Sequence, residues 1–71
     1  MSFNDLVVAL AKKHSLPEMA ALQLTGLLSE DVKKELLKRP PEEVAEILNY
    51  AIRKIDNGST AKIDDLVKRL M

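Results

Sequence analysis

His14 and Ser15 stand side by side, the first pair in the chain whose types could do nucleophilic chemistry. A Ser–His pair works only with a third group to orient the imidazole and donors for an oxyanion, and nothing nearby supplies either. Lys12, Lys13 and His14 together read instead as cations at the negative end of a helix dipole. Paired carboxylates, the raw material of general acid–base work, occur at Glu30-Asp31, Glu42-Glu43 and Asp64-Asp65. Each pair falls where a helix is expected to begin, and there negative charge is stabilising without a catalytic role.

Asp56-Asn57-Gly58-Ser59 has the look of a calcium loop. With Gly58 at the sixth position, Arg53 and Ile55 take the first and third, where oxygen ligands belong. With Ile63 at the eighth, Gly58 and Val67 take the third and twelfth, and the ligands again fail. A helix stop followed by a cap explains the run better. Asn57-Gly58-Ser59 also matches a glycosylation triplet, which matters only in a secreted chain. Gly26 and Gly58 are the only glycines, too few for a phosphate-cradling loop. With no cysteine and one histidine, a thiolate or His-rich metal site is out of reach. No catalytic residue, metal or cofactor is expected, and the chain is read as not an enzyme.

Lys33, Lys34, Lys38 and Arg39 are the candidate nucleic-acid contacts. A helix-turn-helix across residues 16–39 would put its turn glycine at Gly26 and a core residue at Val32, which fits. Leu22, however, stands where a small residue is wanted, and Glu30-Asp31 would face phosphates at the start of the recognition helix. Eleven basic and eleven acidic residues cancel, and no segment departs far from neutrality. A compact DNA-binding regulator is therefore the second reading, behind a protein contact.

The elements that would position any site are helices. Phe3, Leu6, Val7, Leu10 and Ala11 form a stripe at helical period, and Ser2 and Asp5 sit at capping-box spacing. Residues 16–28, LPEMAALQLTGLL, carry one charge, Glu18, and are apolar around most of the circumference. Leu16, Met19, Ala20, Leu24 and Leu27 line one face; Ala21, Leu22 and Leu28 lie off it. Such a helix belongs in an interior or against a partner. Pro17 is expected in its first turn, and Gly26 is either a place of close helix approach or a sign of fraying. Ser29 caps a third helix anchored by Val32, Leu36 and Leu37. Pro40-Pro41 stops it and opens a fourth, with Val44, Ile47, Leu48, Ala51, Ile52 and Ile55 on one face. Asn57 or Gly58 ends that helix, and Ser59 or Thr60 caps a fifth that carries Ile63, Leu66, Val67, Leu70 and Met71. No segment alternates with period two, so no strand is expected.

The fold expected is all-α, a compact bundle of four or five short helices around a central apolar helix at residues 16–28, in a single helical domain over 1–71. A chain of 71 residues buries only about 60% of its unfolded surface, and that burial about offsets its conformational entropy. Self-association would add what is missing. The function expected is a small non-catalytic protein–protein interaction or regulatory module acting as a homodimer, with a second copy or another protein as partner. Val8, Leu22, Leu28, Leu66 and Leu70 are the candidate interface, because they widen or leave the core stripes. No run reaches eighteen apolar residues and no signal peptide is visible, so the expected place is the cytoplasm and no membrane is involved. No family resemblance is specific enough to name.

Overall fold

Ser2 opens the first helix as a capping box requires. Its hydroxyl accepts from the Asp5 N–H at 3.2 Å, and the Asp5 carboxylate accepts from the Ser2 N–H at 3.4 Å. Helix α1 then runs Phe3–Lys13. The computed structural model describes residues 2–56 and 62–71. Within them are five helices and no strand: α1, α2 at Glu18–Leu27, α3 at Glu30–Leu37, α4 at Pro41–Asp56 and α5 at Ile63–Leu70. None is long and apolar enough to cross a membrane.

The joint between α1 and α2 has a feature that no glycine announced. Ser15 takes the left-handed conformation, with φ 57°. Leu16 then donates its N–H back to the Ala11 carbonyl at 2.8 Å, closing the helix end with a six-residue loop. This shifts the start of α2. Leu16 belongs to the end of α1, Pro17 occupies the N-cap, and the first helical residue is Glu18.

At the next joint Leu28 is extended, and Ser29 caps α3 by accepting from the Val32 N–H at 3.3 Å. The backbone N–H of Ser29 is taken up from far along the chain. It donates to the Asp64 carboxylate, in the first turn of α5, at 2.8 Å. Pro41 begins α4, with Glu42 and Glu43 in the first turn, as the proline pair requires. The Arg39 guanidinium spans the α3–α4 joint: it donates to Glu43 at 2.8 Å and to the Met71 carbonyl at 3.0 Å. Asn57, Gly58, Ser59 and Thr60, the expected stop and cap residues, lie outside the described residues. Lys62 stands at the N-cap of α5 and makes no side-chain cap bond.

One hydrophobic cluster holds these pieces together. Helix α4 contributes Val44, Ala45, Ile47, Leu48, Ala51 and Ile52; α1 contributes Phe3, Val7, Leu10 and Ala11. Val32 and Leu36 come from α3, and Ile63 and Val67 from α5, whose apolar end docks on the rest. Helix α2 lies against α1 and α4, α4 also carries α5, and α3 meets α5.

Two expected faces turn out differently. On α2 the buried line is Ala21, Leu24 and Thr25, continued by Leu28, and of the expected line only Leu24 is buried. Met19 and Leu27 are on the outside. Small side chains at 21 and 25 let the neighbouring helices come close, which a line of Leu and Met would prevent. The Thr25 hydroxyl is satisfied in the interior by donating to the Ala21 carbonyl at 3.0 Å. On α3, Leu37 points to solvent and Val32 and Leu36 alone anchor the helix.

Candidate interaction surface

Each of the first four helices has an outer face, and on three of them that face is charged. Asp5, Lys12 and Lys13 are exposed on α1; Asp31, Lys34, Glu35 and Lys38 on α3; Glu42, Glu46 and Arg53 on α4. The outer face of α2 is of another kind. Met19, 78% exposed, Leu22, 41%, and Leu27, 43%, stand out from it, with Gln23 and Gly26 between them. From Met19 to Leu28 the chain has no charged residue. Successive residues advance about 100° around a helix, so Met19, Leu22, Gln23 and Gly26 occupy one side and Ala21, Leu24 and Thr25 the opposite one. Both sides are apolar, and only one is covered.

Gly26 sits in the last turn of α2 rather than at the joint with α3. A Cβ built on it meets nothing within 4 Å. No neighbouring helix of this chain needs the missing side chain, and the left-handed conformation that favours glycine does not occur there. Glycine nevertheless costs a helix interior about 1 kcal/mol relative to alanine. It leaves a notch in the row of outward side chains, one turn beyond Leu22.

The sequence-derived interface residues disperse. Leu22 is exposed on α2, and Leu70 is partly open on α5. Val8 and Leu66 are half-buried, with Leu66 packed against the core. Leu28 is a correction: it is buried in the core cluster, so its cover comes from its own chain. Met19, Leu27 and Gly26 join Leu22 on the surface instead. Counting Ala and Thr as buried types would have found this phase of α2, because they complete the line Ala21-Leu24-Thr25-Leu28. Tyr50 and Leu70 share an open depression with Ile47, Glu43 and Glu46. Its rim is charged, and Lys54 lies 5.4 Å above the Tyr50 ring.

Comparison with protein-family models, with curated proteins and with solved structures finds no match to this chain.

The residues considered for chemistry are placed as follows. His14 is exposed and shares an open depression with Leu16, Glu42, Ala45, Glu46 and Asn49. No group of three or more potential metal-binding side chains exists among the described residues. Asp64 acts on Ser29 and also lies 3.8 Å from Lys68.

Of the basic residues read as possible nucleic-acid contacts, three are engaged. Lys33 pairs with Glu30 at 3.4 Å, Lys38 with Glu35 at 3.4 Å, and Arg39 with Glu43 at 2.8 Å. Lys34 is exposed without an ion pair among the described residues. Pairs at the surface contribute at most about 1 kcal/mol each, but they place a carboxylate beside three of the four cations that a phosphate would have to approach.

Proposed function

We propose that this chain is a small non-catalytic protein–protein interaction module that acts as a homodimer through the outer face of α2. The observation that carries the reading is the exposure of Met19, Leu22 and Leu27 on a helix that carries no charge after Glu18. Single exposed leucines are ordinary; Met19 and Leu22 together on one helix side, with Leu27 at its edge, have a different meaning, because their hydration costs free energy that a partner would recover. The non-catalytic part of the reading is supported by size, since 71 residues have room for a contact surface but little for a cleft. Its lack of cysteine suits a reducing compartment such as the cytoplasm.

Sedimentation equilibrium from micromolar to millimolar concentration tests the proposal. The wild-type chain is expected to move from monomer toward dimer across this range, and Leu22→Lys to remain monomeric with unchanged helicity. A wild-type chain that stays monomeric throughout rejects the homodimer. Salt separates this contact from nucleic-acid binding: apolar association holds or strengthens as salt rises, whereas binding through phosphates falls steeply.

A further inference from the structure

Met19 and Gly26 lie on the same side of α2, seven residues apart. Seven residues are two turns, so the two positions are about 10 Å apart along the axis and differ by only about 20° around it. One is the most exposed large apolar side chain of the described residues; the other is a gap with nothing within 4 Å of an added Cβ. Their midpoint falls between Leu22 and Gln23. Knob and notch are thus placed evenly about the centre of the charge-free stretch from 19 to 28.

From this arrangement we infer that two copies of the chain pack their α2 helices antiparallel about a two-fold axis at Leu22-Gln23, with each Met19 seated in the partner's Gly26 notch. This rests on the proposed homodimer and specifies its register. An isologous contact requires a surface complementary to itself, and the axis sends position 19 to position 26 and the reverse. Methionine is suited to the role, because its unbranched thioether adapts to an irregular gap. Charge points to the same occupant. A segment free of charge from 19 to 28 offers nothing for a charged partner to pair with, and the surface it matches is an equally uncharged helix side, which this chain itself carries.

Area sets the strength. Three side chains open to this extent expose on the order of 300 Å² of apolar surface. Two copies then bury on the order of 600 Å², below the roughly 1,200 Å² of a stable interface, so the dimer is weak and depends on concentration.

The register is tested with opposite charges. Met19→Lys and Gly26→Glu are both made at exposed positions, so circular dichroism should show both folded. Each alone is expected to weaken self-association about tenfold or more, by placing an unpaired charge in the contact. An equimolar mixture is expected to recover to within about threefold of wild type. In the mixed pair the introduced ammonium meets the introduced carboxylate at one end of the contact, and the other end keeps Met19 against Gly26. Weakened single variants without recovery in the mixture overturn the register and leave the α2 contact standing. Single variants that associate like wild type overturn the register too, and Leu22→Lys then decides whether the α2 face is used at all. Because the chain has no cysteine, Gln23→Cys gives an independent reading: near the axis it should form an intermolecular disulfide readily, and a Gln23→Cys chain that cross-links no faster than Asn4→Cys on α1 counts against the axis.

Discussion

Helix α4 has six charged residues in sixteen, and helix α2 has one in ten. Yet α4 supplies six buried apolar residues to the interior, while α2 supplies Ala21 and Leu24 and leaves Met19, Leu22 and Leu27 in solvent. The charges of α4 are the reason it buries so well. They occupy one side and leave an uninterrupted stripe from Val44 to Ile52 with a single way to face. An evenly apolar helix such as α2 has no preferred face of its own. Its neighbours choose, and here the side with small residues won, since Ala21 and Thr25 admit closer packing than Met19 and Leu27. Segregation of apolar residues, rather than their abundance, decides what becomes core.

The sharpest way to break this comparison is to truncate one leucine of each class. Leu48→Ala on α4 and Leu24→Ala on the inner side of α2 should each cost about 2–5 kcal/mol, lowering Tm by about 10–30 °C in a domain of this size. Leu22→Ser on the outer side should leave stability within about 0.5 kcal/mol. Thermal melts of the three at low concentration test the assignment, and an equal loss for Leu22→Ser would mean that the outer face is part of the fold. Next in size is Asp64→Ala, which removes the acceptor for the Ser29 N–H and should cost about 1–2 kcal/mol in urea titration. Two glycine exchanges of opposite sense follow. Ser15→Gly relieves the left-handed strain and Gly26→Ala fills open space within a helix, so each should stabilise the chain by about 0.5–1 kcal/mol. Differential scanning calorimetry would resolve the few degrees involved; a loss at Ser15→Gly would show that its hydroxyl matters more than its backbone.

Much of the fold was legible because local signals agreed with one another. Ser2 and Asp5, Ser29, and the Pro40-Pro41 pair mark helix ends through their own backbone chemistry, and each does in the structure what its type dictates. The stripes of α1 and α4 fixed their inner faces for the same reason. What escaped was set by partners distant in sequence. Serine seldom adopts positive φ, so Ser15 gave no hint that α1 would close on it and delay α2 until Glu18. The rotation of α2 depends on how α1 and α4 approach it, and a segment apolar on both sides does not encode that choice. The candidate surface is consequently half visible: Leu22 is named from the sequence, whereas Met19, on the expected apolar line, is exposed and Leu28, off that line, is buried.

The hydrogen bond from Ser29 to Asp64 bridges 35 residues and joins the beginnings of two short helices. At eight residues each, α3 and α5 are too short to persist on their own. When α5 lifts away, α3 loses both its packing neighbour and the acceptor at its first turn, so the two should open as one cooperative unit. Their amide protons should therefore exchange with deuterium at a shared free energy of opening, below that of the α1–α2–α4 layer, and the first breathing motion of this chain would leave the outer face of α2 in place.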